Sequence, residues 1–216
     1  MEHVHQFLYF FLHIDTYLIP FIQTYGTWAY LLLFTVIFCE TGLIITPFLP
    51  GDALLFTVGS IAALPGHPLH VLILSPLLIT ASILGNQVNY LLGRAIGPRV
   101  FSIHRPWLFN QENLEEAHRF YEKHGGKTLV FARFIPVVRT FVPFIAGVSY
   151  MSIRRFTFYN IGSAILWIGS ILNLGYFLGS IPVVKNNFSV VVYGIILVSF
   201  LPLLYTFLYP RLIKAR

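Results

Sequence analysis

Four charged residues, Glu40, Asp52, Arg133 and Arg139, stand in stretches that are otherwise apolar enough to enter a lipid bilayer. A charge at bilayer depth costs about 2.5–3.5 kcal/mol on insertion scales, so such residues face a protein interior or a watery cavity and mark paths for ions or substrates. Two carboxylates facing a cavity could exchange protons, because loss of water favours the neutral acid. Two guanidiniums offer rigid, bidentate donors that match a phosphate and stay charged at every physiological pH. Plainer readings stand beside these. The acids could sit at an interface, at the mouth of a hairpin, and the arginines could snorkel from hairpin ends or pair with the same acids. Pairing and anion capture are compatible if arginines held by acids at rest change partner when phosphate arrives.

The segments that carry these charges do not read as ordinary helices. Glu40 and Asp52 bracket Thr41-Gly42-Leu43-Ile44-Ile45-Thr46-Pro47-Phe48-Leu49-Pro50-Gly51, which is followed by an apolar stretch to Leu64. Arg133 and Arg139 belong to Arg133-Phe134-Ile135-Pro136-Val137-Val138-Arg139-Thr140-Phe141-Val142-Pro143-Phe144-Ile145-Ala146-Gly147. Each segment has two prolines and at least one glycine, which would break a lipid-facing helix. Irregular backbone at membrane depth persists only where protein or a cavity satisfies its polar groups, so both segments read as re-entrant hairpins, at about 40–64 and 128–150. Pro47, Pro50, Gly51, Pro136, Pro143 and Gly147 are the residues expected to shape them. Broken segments at corresponding places in two halves are the trace of an inverted repeat. The repeat rests on hairpin, proline, glycine and paired charge, not on an alignable string.

The rest of the chain must hold these hairpins, and its composition says how. Of 216 residues, 56% are apolar, 17% aromatic and only 10% charged, where a globular domain has about a quarter charged. That excludes a soluble domain, a disordered chain and a disulfide scaffold, and the single cysteine, Cys39, cannot form an internal disulfide. Runs free of Asp, Glu, Lys and Arg cover 16–39, 53–93, 156–184 and 186–210, against the roughly 20 residues that a spanning helix needs. Pro65-Gly66-His67-Pro68 divides the second run at a turn. The expected fold is therefore all-α and polytopic, with about four spanning helices and two re-entrant hairpins in an inverted repeat. Residues 1–25, with Asp15, Pro20 and several aromatics, read as an interfacial amphipathic helix. Residues 26–210 form the transmembrane domain and 211–216 a basic tail. Met1-Glu2-His3-Val4-His5 lacks the positive region of a cleavable signal, so the whole chain is expected to be kept.

The formal net charge is +6. Arg94, Arg99, Arg105, Arg119, Lys123 and Lys127 concentrate it in the loop 94–127, which the positive-inside rule puts in the cytoplasm together with both termini. Within this loop Asn110 reads as the N-cap of a short surface helix that Gly125-Gly126 stop.

Weaker signals take plainer meanings. His67 and His70 flank Pro68 and cannot share a helical face, so no metal site is expected. Gly93-x-x-x-Gly97 and Gly175-x-x-x-Gly179 match a helix-packing motif, read as close packing within one bundle. Trp28, Trp107 and Trp167 read as interfacial anchors. Gly147-Val148-Ser149-Tyr150-Met151 fails as a serine-hydrolase elbow at its last position, and no HExxH or P-loop is present.

Three strings resemble the DedA membrane proteins, which share a domain with eukaryotic SNARE-associated Golgi and VTT proteins. They are Glu40…Pro47-Phe48-Leu49-Pro50-Gly51-Asp52, Gly85-Asn86…Tyr90-Leu91-Leu92-Gly93-Arg94…Gly97, and Phe131-Ala132-Arg133-Phe134-Ile135-Pro136…Arg139-Thr140…Pro143…Ala146-Gly147. The second departs from the family at Asn86, where many relatives carry an acid. The resemblance implies the inverted re-entrant architecture and puts the family's acidic pair on Glu40 and Asp52 and its arginine pair on Arg133 and Arg139. It also implies a bacterial cytoplasmic membrane protein, dependent on proton-motive force, that recycles undecaprenyl phosphate between leaflets.

The expectation is thus a transporter, not an enzyme, that flips a phosphate-bearing lipid with proton coupling and no cofactor. Its partners would be the lipid-linked phosphate, membrane lipids, and protons or another coupling ion, with no nucleic acid; a second copy of the chain is an open alternative. The competing readings are a proton-coupled exporter of small cations or drugs, in which the acids bind and the arginines are structural, and a membrane enzyme acting on lipid phosphates.

Overall fold

The computed structural model describes residues 20, 22, 24–43, 51–102, 126–182, 184, 190, 191, 194, 195 and 197. Pro47, Pro50, the surface helix after Asn110, the basic tail and most of the interfacial helix and of the last expected span lie outside the described residues. Among the described residues the chain is all-helical: α1 Trp28–Gly42, α2 Gly51–Ala62, α3 Val71–Ser102, α4 Lys127–Ala132, α5 Pro136–Val148 and α6 Ile153–Gly179.

Two of these, over Val71–Ile96 and Ile153–Gly179, are long and apolar enough to cross a membrane, and only 33% of each span is buried. The core helix of a soluble protein would be mostly covered. Here Leu72, Phe158 and Phe177 are 85%, 75% and 67% exposed, while Glu40, Asn89, Arg133, Arg139 and Asn160 are buried. Apolar side chains outside and polar ones inside is the distribution that a hydrocarbon solvent imposes. The shorter apolar helices are α1, α2 and Val138–Val148 of α5. As expected, a turn divides the 53–93 run. Gly66 takes a positive φ of 77° there, and Tyr30 ties the turn to α1 by accepting from the His70 amide (2.8 Å) and donating to the Pro68 carbonyl (3.2 Å).

Helix α3 continues to Ser102, so the first residues of the expected 94–127 loop are helical, and Arg154-Arg155 lie in the first turn of α6. The proline-rich segment of the second expected hairpin is helix, break, helix. The cause is local. A residue before proline is pushed out of the α region, and Ile135, before Pro136, is extended (φ −112°, ψ 108°), which ends α4 at Arg133 and lets Pro136 open α5. Pro143 lies inside α5. The far end of α5 closes with Tyr150 in the left-handed region (φ 54°), its N–H donating to Gly147 and that of Met151 to Ala146, a Schellman motif in which a tyrosine takes the usual glycine place. Tyr90 of α3 donates to the Met151 carbonyl, and its ring stacks on Phe156 at 4.3 Å.

The chain divides into two compact units. One gathers described residues of Met1–Thr35, Pro50–Leu78 and Ile168–Arg216, the other those of Val36–Leu49 and Ile79–Trp167. Each contains a helix crossing at glycines. In the first, a Cβ at Gly59 of α2 would overlap the Leu172 carbonyl oxygen and reach the Tyr176 nitrogen at 3.0 Å, and one at Gly175 of α6 would overlap the Phe56 carbonyl oxygen. In the second, a Cβ at Gly147 of α5 would overlap the Tyr90 carbonyl oxygen and reach the Arg94 nitrogen at 2.8 Å, and one at Gly93 of α3 would overlap the Phe144 carbonyl oxygen. The register is the same: Phe56-x-x-Gly59 takes the part of Phe144-x-x-Gly147, and Leu172, Gly175 and Tyr176 the parts of Tyr90, Gly93 and Arg94. Gly93, Gly175 and Gly179 therefore pack closely as expected, a Cβ at Gly179 meeting Ser60, while the surroundings of Gly97 lie outside the described residues.

Candidate functional site

Three of the four charges singled out by sequence meet in the second unit. Arg133 is the C-cap of α4 and Arg139 lies one turn into α5. Their six-residue spacing misses a regular helical face. The break at Ile135 re-aims the chain between them, and both guanidiniums lie over the ring of Trp167 on α6, at 5.6 Å for Arg133 and 4.8 Å for Arg139. Trp167, expected as an interfacial anchor, is fully buried instead; two buried cations beside it need an electron-rich face, and indole supplies the best one. Trp28, at 69% exposure, has the exposure of a surface anchor, and Trp107 lies outside the described residues.

Helix α1 delivers the counter-charge. Its end approaches α3 because Gly42 and Gly85 carry no side chain: a Cβ at Gly85 would overlap the Thr41 hydroxyl and lie 2.7 Å from the Phe38 carbonyl. That approach sets Glu40 in an ion pair with Arg139, Nη2 to Oε1, both side chains buried. Asn89 stitches three helices together, donating to the Thr41 carbonyl of α1 (3.2 Å) and the Thr140 carbonyl of α5 (2.8 Å).

Arg133 is held differently. Its Nη2 donates to Asn160 Oδ1 on α6 (3.0 Å), and Asn160 is anchored through its own Nδ2 to the Ile83 carbonyl (3.0 Å). The amide of Asn86 satisfies its neighbours with its oxygen towards the Arg133 guanidinium and its nitrogen towards the Thr41 carbonyl (3.2 Å). The Nη1 atom of Arg133 is buried and meets no acceptor among the described residues. Among the described residues Arg133 thus meets neutral amides and an aromatic ring, and its positive charge is enclosed where water does not screen it. Such a cluster can take up an anion.

Asp52 is buried in the first turn of α2, where Gly51 starts the helix. It belongs to the first unit, and the acid paired with Arg139 within the second unit is Glu40. Pro143 has no N–H to give to the carbonyl of Arg139, and Gly147 serves the crossing with α3. Sequence reasoning missed Asn89, Asn160 and Trp167 as members of the site and knew Asn86 only as a departure from a family string. Amides inside charge-free apolar runs, two of them three residues apart at 86 and 89, were the available signal.

Lipid-exposed spans around a buried cation cluster on an interrupted helix define a polytopic membrane protein with a charged interior site. The VTT domain model matches residues 49–177. The chain is 46% identical to Protein DedA of Escherichia coli strain K12 over 202 residues, which is 94% of this chain and 92% of the relative. It is 45% identical to an uncharacterised membrane protein of Mycobacterium leprae over 169 residues (78% of this chain, 75% of the relative), and 39% identical to Inner membrane protein YqjA of E. coli K12 over 160 residues (71% and 69%). This chain belongs to the DedA family of VTT-domain membrane proteins. No solved structure matches it.

Proposed function

We propose that this protein moves a phosphate-bearing lipid carrier between the leaflets of a bacterial cytoplasmic membrane, undecaprenyl phosphate being the lipid that the family resemblance names. One observation carries the reading: Arg133, buried over the Trp167 ring beside Arg139, is held among the described residues by the neutral amides of Asn160 and Asn86 and keeps a buried N–H without an acceptor, so its charge is one that an anion can balance. A phosphomonoester carries about −1.5 to −2 charges at neutral pH and three strong acceptor oxygens. Guanidiniums replacing its water would remove the main barrier to crossing, while the polyprenyl tail stays in lipid. The reading includes four spanning helices, two re-entrant hairpins in inverted repeat, cytoplasmic termini, and proton coupling through Glu40 and Asp52. Transport, not catalysis, is the activity. Engagement of Glu40 by Arg139 speaks against a cation exporter in which the acids alone bind the cargo.

The test is leaflet translocation of labelled polyprenyl phosphate in proteoliposomes containing only this protein. Translocation above protein-free vesicles is expected. Arg133→Lys and Arg139→Lys should each insert normally yet lose at least about tenfold in rate, because a point charge replaces a bidentate fork. Near-normal flipping by both variants overturns the proposal, as does release of inorganic phosphate, which would mark an enzyme.

A further inference from the structure

The two arginines of the site are held by partners of different charge. Arg139 faces the carboxylate of Glu40, whereas Arg133 is cradled by the neutral amides of Asn160 and Asn86 and by the Trp167 ring. A carboxylate at either amide position would hold Arg133 more strongly, since it adds the attraction of a full opposite charge to a hydrogen bond whose donor is already ionised. An amide holds the guanidinium in place without cancelling its charge. Asn160 is itself fixed, because its Nδ2 is engaged by the Ile83 carbonyl, and its side chain is fully buried on α6. The remaining Nη1 of Arg133, buried and without an acceptor among the described residues, is the donor this arrangement leaves over.

We infer that Asn160 is a positioning residue whose neutrality keeps Arg133 available, so that Arg133 Nη1 is the first donor met by an anionic lipid headgroup, while Arg139 joins only after parting from Glu40. This rests on the reading of the cluster as a lipid-phosphate site and adds to it an order of engagement and a residue that sets the anion affinity. Anion binding draws Arg133 off the indole face, so Trp167 emission reports it.

The experiment uses the full chain in non-ionic detergent with Trp28→Phe and Trp107→Phe, which leaves Trp167 as the only tryptophan, titrated with dodecyl phosphate. A saturable emission change is expected, with inorganic phosphate competing only at far higher concentration. Asn160→Asp should weaken dodecyl phosphate binding at least about tenfold while its thermal midpoint stays at or above the parent's, because the new carboxylate pairs with Arg133. Asn160→Ser, neutral and still an acceptor, should stay within about threefold. A merely structural asparagine gives the reverse order, aspartate tolerated and serine not, and that order overturns the inference while leaving the lipid-phosphate reading intact. Should Asn160→Asp show no cooperative thermal transition, Asn160→Ala decides: binding equal to the parent overturns the inference, and a loss of about fivefold or more, absent in Asn160→Ser, supports it. No saturable change in the parent, or equal potency of inorganic phosphate, overturns the lipid-phosphate reading itself.

Discussion

The two units of this protein use one crossing for different ends. In both, a helix passes over a longer partner with its phenylalanine carbonyl against a partner glycine, and its own glycine against the partner's carbonyl three residues earlier. Around that shared frame the residues diverge. Where the second unit has Asn86 on α3, the same register in the first unit puts Ile168 on α6, fully buried. The position of Arg139 is taken by Gly51, and that of Thr140 by Asp52. The described residues of the first unit contain no lysine or arginine at all, whereas the second holds Arg133 and Arg139 in its interior. Frame and chemistry are thus separable: glycines set the crossing twice, and buried amides and arginines were built on one copy.

The largest effect should come from the crossing. Gly93→Leu and Gly175→Leu force a side chain onto a backbone carbonyl that cannot rotate away, and both are expected to abolish folded protein, read as detergent-extractable yield and a thermal transition. On α6 itself, Gly162 and Gly169 face open space, so alanine at either should be neutral or stabilising by about 0.5–1 kcal/mol. Tolerance of Gly175→Leu with loss of Gly93→Leu would break the equivalence of the two crossings.

Next in size is the contrast between the acids. Glu40→Gln takes from Arg139 the buried carboxylate it is paired with, and loss of one partner of a buried pair costs about 3 kcal/mol or more. Asp52→Asn, in the first turn of α2, where an acid's interaction with the helix end is worth about 2 kcal/mol at most, should lower the thermal midpoint less. Transport should separate stability from coupling. Both variants are expected to weaken the response of flipping to an imposed pH gradient more than they weaken substrate binding. Unchanged gradient dependence in both would reduce the acids to structural roles.

Much of this was legible in the sequence because the signals are one-dimensional. Four charges in apolar runs are visible without knowing what they touch, and the break at Ile135 follows from Pro136 alone. The site's remaining members were not legible, since their roles depend on what approaches them. Nothing in the surroundings of Trp167 distinguishes a lipid-facing anchor from the ring under two arginines 28 and 34 residues earlier in the chain. Asn160 looks like any amide in a span until Arg133 is brought to it from another helix. The repeat was recognised by its prolines and charges, but the register that relates the units is Phe-x-x-Gly, short enough to pass as chance before the carbonyl contacts pair the two copies.

The divergence can be tested by exchange. Ile168→Asn installs in the first unit the amide that the second uses, without the arginine that gives it purpose. Burying an amide without a designed partner costs about 1–3 kcal/mol, and the thermal midpoint should fall accordingly. A neutral outcome would mean that the first unit also holds polar partners at that depth.

The smallest effect concerns a hydroxyl found on one crossing only. The single hydroxyl proton of Ser60 on α2 is shared between the Phe56 carbonyl of its own helix (3.0 Å) and the Gly175 carbonyl of α6 (3.0 Å). In the second unit the same register holds Val148, buried and without a hydroxyl. The helical carbonyl of Phe56 keeps its main-chain role without the serine, so what Ser60→Ala removes is chiefly the bond between helices, worth about 1 kcal/mol net. Alanine fits, because it keeps the Cβ that already packs against Gly179 and adds nothing to it. The expected result is a thermal midpoint lower by a few degrees, with the flipping rate and its pH-gradient response unchanged, since Ser60 belongs to the frame and not to the arginine cluster. A change in transport at unaltered stability would place chemistry on the first unit's crossing and erase the distinction between the two.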